Sequence, residues 1–199
     1  MPRPIVLATH NAHKVAEFQA IVARVRPDLV VTGYDGPEPV EDGVTFAANA
    51  LIKARTAAAH TGLPALADDS GIRVDVLGGA PGVFSAYWAG HRKDDAANRA
   101  LLLDQLSDIR DPNRAAQFVS VIALVQPSGR EHTVEGIWPG RLATAERGTG
   151  GFGYDPIFVP DGQPAATERT VGEWDAREKN AHSHRARAFE RLAPLLSAL

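Results

Sequence analysis

The chain opens with short apolar runs separated by helical periods, a pattern that suits a layered α/β fold. Ile5-Val6-Leu7-Ala8 is an unbroken apolar run of strand length. After Thr9-His10-Asn11, Val15, Phe18, Ile21, Val22 and Val25 recur at threes and fours, which predicts a helix capped by Thr9 or Asn11. Leu29-Val30-Val31 reads as a second strand, and Gly33 to Gly43 as an acidic loop. A second helix is predicted from about Thr45 to His60, ending near Gly62-Leu63-Pro64.

Ala65-Leu66-Ala67-Asp68 predicts a strand that turns at Ser70-Gly71. Ile72, Val74 and Val76 alternate with Arg73 and Asp75 as a half-buried strand. Asp94 to Leu106 reads as a helix with Ala97, Leu101, Leu102 and Leu106 inward. Ala115 to Val125 is a long strand, turning at Pro127-Ser128-Gly129-Arg130 into a hairpin partner, Glu131 to Trp138. A last helix starts at Asp175, with Glu178 completing a capping box and a break near Ser183. There is no repeat or linker, so the expectation is one mixed α/β domain over residues 1–199.

Composition limits the function classes. Net charge is -3, which argues against a nucleic-acid coat and leaves room for a small anionic ligand. The chain has no cysteine, so thiolate metal sites are excluded and a reducing cytoplasm fits. The N-terminal apolar run is too short for a signal peptide or a membrane span.

Five stretches carry chemistry. Thr9-His10-Asn11-Ala12-His13-Lys14 lies where strand becomes helix, and free N–H groups there suit phosphate, with Lys14 adding charge. The same residues would also serve as a plain capped helix. Asn49 and Lys53 stand four apart on one helical face. Asp68-Asp69 places two carboxylates side by side; one could bind Mg²⁺ or act as a base, with Glu38, Glu41 or Asp42 as a second ligand. An acidic turn is the competing reading. Gly148 to Phe158 holds four glycines within six residues, followed by aromatics around Asp155-Pro156, and Phe152 or Tyr154 could stack on a base. It is neither a Walker loop nor a dinucleotide fingerprint. Finally, Lys179, His182, His184, Arg185 and Arg187 form a basic cluster suited to an anion or a base carbonyl.

In this order, THNAHK, VTFAANALIKA, ALADDSGIRVDVLGGAPGVFSA, GIWPG, GTGGFGYDPIF and EKNAHSHRA resemble the inosine/xanthosine triphosphate pyrophosphatases over nearly the whole chain. The resemblance implies an elongated two-lobed α/β domain with a long mixed sheet flanked by helices and a central cleft. It implies hydrolysis of noncanonical purine nucleoside triphosphates (ITP, dITP, XTP) to monophosphate and pyrophosphate, with Mg²⁺, as a homodimer. By the same likeness, Thr9 to Lys14 and Lys53 bind the triphosphate, Glu41 and Asp69 handle the metal, and Asp69 takes the proton of the attacking water. Ser70 touches substrate. Phe152, Gly153, Tyr154 and Asp155 form the nucleoside pocket, and Lys179, His184 and Arg185 complete it. Donors to a 6-keto oxygen would come from backbone N–H groups of 152–155 or from Arg185. His10, Ala48 and Trp174 depart from the family pattern, where glycine, glutamate and methionine are frequent. The alternatives are a pyrophosphatase for other modified nucleotides and a non-catalytic nucleotide sensor.

Overall fold

The computed structural model describes residues 2–197 and residue 199. Its strands are β1 (Arg3–Leu7), β2 (Leu29–Gly33), β3 (Ala65–Val74), β4 (Ala115–Val125), β5 (Glu131–Leu142) and β6 (Phe158–Pro160). Its helices are α1 (Ala12–Val25), α2 (Phe46–Thr61), α3 (Asp95–Gln105), α4 (Ala176–His182) and α5 (His184–Ser197). Among the described residues these strands form one sheet in the order β2-β1-β3-β4-β5-β6. The sheet is mixed. β1 runs parallel to β2, with Ile5 opposite Val31, and parallel to β3, with Leu7 opposite Leu66. β5 and β6 are antiparallel, with Arg141 opposite Val159.

The chain divides into two compact units. The first holds the residues up to Asp69, Ser120–Gly136 and the stretch from Ala188 onward; the second holds Ser70–Val119 and Ile137–Arg187.

The first unit packs α1 and α5 around its strands. Ile5, Leu7, Leu29, Val31 and Leu66 meet Phe18 and Val22 of α1 and Phe189 and Leu192 of α5 in one buried cluster. Phe18 and Phe189 pack edge to face at 4.5 Å, a favoured aromatic geometry. The helical period identified these α1 residues, except that Val25, at the last position of the helix, is exposed. Thr45 caps α2 by accepting the Ala48 N–H, and Gly62 ends it in the left-handed conformation at φ 66°. Gln126 and Arg130 close the turn between β4 and β5, where Gln126 N–H donates to Arg130 O.

The second unit surrounds Ile72, Val74, Leu102, Phe118, Trp138 and Phe158. Arg114 is buried here, and its guanidinium donates to the carbonyls of Leu106, Ile109, Leu142 and Ala143 at 2.7–2.9 Å. It ties the end of α3 to the end of β5 without any carboxylate.

Three expectations are corrected. Ser70-Gly71 is not a turn: β3 runs through it to Val74. The glycine is there for close approach, because a Cβ at Gly71 would lie 2.3 Å from Ser85 Oγ, which accepts the Ile72 N–H at 2.9 Å. Val76 falls in the 3₁₀ turn Asp75–Leu77 and is exposed, so the alternation stops at Val74. In α3 the inward residue of the first turn is Asn98 rather than Ala97, because its amide oxygen accepts Ala89 N–H and its nitrogen donates to Ala86 O.

Candidate functional site

Strand geometry separates Asp68 from Asp69. Successive side chains on a strand face opposite ways, and here each carboxylate has its own lysine. Asp68, which is buried, takes Lys14 Nζ on both oxygens at 2.9 and 3.0 Å. Asp69 takes Lys53 Nζ at 3.2 Å. The same ammonium reaches Glu41 at 2.9 Å, so one cation joins two carboxylates drawn from a loop and a strand. α2 supplies Lys53 and, one turn earlier, Asn49. Asn49 is buried and works in two directions. Its oxygen accepts Gly43 N–H at 2.8 Å, fixing the loop that carries Glu41, and its side chain favours the charged form of Asp69.

Burial pushes the Asp69 carboxyl above the usual aspartate range, and Glu41 adds to this; Lys53 and Asn49 oppose it without overcoming it. Burial works against the charge on Lys53, yet Asp69, Glu41 and Asp68 outweigh it and hold the ammonium up. The arrangement is thus a charged lysine beside a carboxylate whose basicity is strengthened, which suits a proton acceptor.

The turn Thr9–Lys14 enters α1 in a capped conformation. Asn11 Oδ1 accepts His13 N–H at 2.9 Å and Lys14 N–H at 3.4 Å, and Thr9 Oγ1 accepts Asn11 N–H at 3.2 Å. Those oxygens are therefore spent on backbone. The Thr9 O–H, the Asn11 amide nitrogen and the N–H groups of His10 and Ala12 are further donors of this turn, of the kind that suits an anion. His13 is exposed.

In the second unit the glycine-rich loop is tethered along Phe152–Asp155. Phe152 N–H donates to Asp155 Oδ2 at 2.8 Å. Gly153 gives its N–H to Asp95 and receives Arg99 on its carbonyl, both at 2.8 Å. Tyr154 O–H donates to Ser85 O at 2.8 Å, and Asp155 is ion-paired with Lys179. Gly151 has φ 73°, and a Cβ there would lie 2.0 Å from the Asp155 carboxylate. Of the two candidate stacking rings, Tyr154 belongs to the core and Phe152 is 60% exposed. Lys179 Nζ stands 3.9 Å and the Arg185 guanidinium 5.9 Å from the Phe152 ring centre, within cation–π range. His184 is buried and stacked on Phe118 at 5.0 Å. The N–H groups of Phe152, Gly153 and Asp155 all have internal acceptors.

A model described as the Ham1 family matches residues 5–195. The chain belongs to the Ham1 family. It is 58% identical to a dITP/XTP pyrophosphatase of Leifsonia xyli subsp. xyli, covering 98% of this chain and 96% of that protein. It is 53% identical to a dITP/XTP pyrophosphatase of Symbiobacterium thermophilum over 98% and 95% of the two. Among solved structures, a HAM1 protein from Coxiella burnetii superposes with TM-score 0.89 at 41% identity, over 99% of this chain and 100% of the other. A nucleoside-triphosphatase / dITP/XTP pyrophosphatase from Mycobacterium abscessus gives 0.82 at 48% identity, over 96% and 99%.

In this Ham1 chain the structure gathers Lys14, Glu41, Lys53 and Asp69 in the first unit, and Phe152, Asp155, Lys179 and Arg185 in the second. Ser70 is half-buried on β3 in the second unit. Two kinds of residue escaped the sequence reading. Asn49 was recognised only as a face-mate of Lys53, and Asp95 and Arg99 of α3 were not recognised at all. Their spacing of four is the single local signal, and nothing local says that Gly153 is their target. Ala48 sits in the first turn of α2, where Thr45 holds its N–H, so no acid stands there. Trp174 packs on Trp138 at 5.5 Å under the Arg169 guanidinium. With Asp161, Glu178 and His182 these residues line a cavity of about 460 Å³ in the second unit.

Glu178 supplies only part of the expected box: Asp175 caps α4 by accepting the Glu178 N–H, while the Glu178 carboxylate pairs with Arg169. A complete box occurs instead at Thr170 and Glu173.

Proposed function

We propose that this Ham1 protein hydrolyses inosine, deoxyinosine and xanthosine triphosphates at the α-phosphorus, releasing the monophosphate and pyrophosphate. The observation that carries the reading is the Lys53–Asp69–Glu41 group: a half-buried aspartate with a raised pKa, beside a charged lysine and a second acid. The names borne by the relatives point the same way.

Asp69 accepts a proton from water. The water oxygen forms a bond to the α-phosphorus, the bond from that phosphorus to the bridging oxygen breaks, and pyrophosphate leaves with the electron pair. A placed general base typically contributes roughly 10²–10⁴-fold. Lys14 and the donors of Thr9–Ala12 hold phosphate oxygens. In the second unit, Phe152 stacks on the purine, and Arg185 donates to the 6-keto oxygen. An amino group at that position leaves the donor unpaired, a mismatch that can reject by up to about 10⁴–10⁵-fold.

Mg²⁺ is part of the proposal. Among the described residues no three acids or histidines cluster as a metal cage. Two carboxylates, Glu41 and Asp69, converge on one ammonium. Hard oxygen donors in that number fit Mg²⁺, which typically takes one or two carboxylates together with water and substrate phosphate. When bound, the ion would neutralise charge on the phosphates. We further propose a homodimer working in the cytoplasm. The lack of cysteine fits that compartment, and no described helix is long and apolar enough to cross a membrane.

The test is pyrophosphate release from a panel of nucleoside triphosphates with and without Mg²⁺. Metal-dependent release from ITP, dITP and XTP with little from ATP or GTP is the expected result. Triphosphate binding without release would make the protein a sensor, and preference for a modified pyrimidine would move it to another pyrophosphatase class.

A further inference from the structure

We infer that His10 is a positioning residue which, as an imidazolium, ties the loop carrying Glu41 to the turn Thr9–Lys14. The inference rests on the proposed role of Glu41.

Both ring nitrogens of His10 face acceptors. Nδ1 lies 3.1 Å from a Glu38 carboxylate oxygen, and Nε2 lies 3.2 Å from the Gly36 carbonyl. Neither partner has a proton to give in its ordinary state. A neutral imidazole donates from one nitrogen only and would turn a lone pair toward the other acceptor. The imidazolium satisfies both at once. The ring is also held flat against Tyr34, with centres 5.9 Å apart and planes 12° apart. Tyr34 anchors this end of the loop: its N–H donates to Thr9 O at 3.3 Å and its hydroxyl to Pro37 O at 3.0 Å.

The far end of the loop is fixed from α2, through Gly43 to Asn49 and Glu41 to Lys53. His10 therefore adds a second near-end attachment beside that of Tyr34, from the turn before α1. The other charged groups of these elements are differently engaged or placed. Lys14 is taken by Asp68, His60 of α2 meets the edge of Tyr34, His13 lies on α1, and Asp35 precedes Gly36 in the chain. Glu38 is the carboxylate that pairs with the ring. Deprotonation of His10 would give up one of the two attachments and loosen the segment bearing Glu41.

Hydrogen exchange of the full-length protein tests this without requiring turnover. Peptides covering residues 36–42 are followed in wild type, His10→Ala and His10→Arg. The pH values are about 6 and about 8, with the intrinsic pH dependence of exchange removed. At the lower pH, His10→Ala should exchange about threefold faster in this segment alone, the scale of one exposed ion pair. Wild type should lose that protection at the higher pH. His10→Arg, permanently charged, should keep it at both. Equal exchange in His10→Ala and wild type at the lower pH would overturn the inference, as would an arginine variant that loosens with pH as wild type does. With ITP, His10→Ala should raise KM more than it lowers kcat, and arginine should restore KM. If no nucleotide is cleaved, the proposed function fails while the exchange result still decides the role of His10.

Discussion

Asp68 and Asp69 are adjacent in the chain and serve different lysines: Asp68 chelates Lys14 with both oxygens, and Asp69 shares Lys53 with Glu41. The strand's alternation makes the division possible, so two neighbouring carboxylates avoid a common site.

The first prediction concerns Asp69 as base. Asp69→Asn is nearly isosteric and cannot take up the proton. Turnover of ITP should fall roughly 10²–10⁴-fold, while calorimetry should still detect nucleotide binding. A loss of only a few-fold would assign the proton to another group.

The raised pKa of Asp69 gives a second test with a definite sign. The folded state holds this proton to higher pH than the unfolded chain does. Between the unfolded and folded values, folding takes up a proton, so stability falls as pH rises; the cost is complete above the folded value. Asp69→Asn has no such titration, and Lys53 stays charged across the window. Comparing the two melting temperatures as pH falls through that window should show the balance moving toward wild type. A constant difference would show that the group does not titrate there.

Lys14 and Asp68 form a pair whose two roles separate. Lys14→Ala strands a buried carboxylate and should cost about 1–3 kcal/mol of stability, besides weakening triphosphate binding. Adding Asp68→Asn should recover stability, read from urea unfolding, and leave binding weak. Recovery of both would mean that Lys14 acts on nucleotide only through the fold.

Phe152 and Tyr154 should part company under mutation. Phe152 is largely exposed, so Phe152→Ala should leave the melting temperature nearly unchanged. Loss of a base stack, about 1–3 kcal/mol, should raise KM by about 10- to 100-fold. Tyr154→Phe removes a buried hydroxyl bond to Ser85 and should lower stability by about 1 kcal/mol with a smaller effect on KM.

Arg114 should not tolerate lysine. Its guanidinium satisfies four carbonyls from different segments, and an ammonium has three donors without the planar fork. Arg114→Lys should cost about 3 kcal/mol in chemical denaturation, and kcat of the protein that remains folded should change little.

Local signals carried much of the fold. β4 runs over Ala115–Val125 as the sequence reading placed it, because its apolar run is long and bounded by turn residues. α2 starts and stops where Thr45 and Gly62 mark its ends. The failures share a cause. Ser70-Gly71 reads as a turn because glycine is a frequent turn residue, whereas the small size of Gly71 admits Ser85, fourteen residues on. Ala97 and Asn98 exchanged roles because Asn98 caps a distant backbone turn. Asp95 and Arg99 were missed because their partner, Gly153, lies more than fifty residues away. The acids and lysines of the first unit were legible as residue types, but the pairing of Asp68 with Lys14 and Asp69 with Lys53 needed coordinates.

For anyone wishing to redirect this scaffold toward another nucleobase, Gly151 closes one route. A side chain there must push the Asp155 carboxylate aside, and that carboxylate also holds Phe152 N–H and Lys179. A single replacement would disturb both contacts together, so a library at Gly151 should yield chiefly inactive clones. Diversity is better spent on Phe152, whose exposed side chain can change without dismantling the loop that presents it.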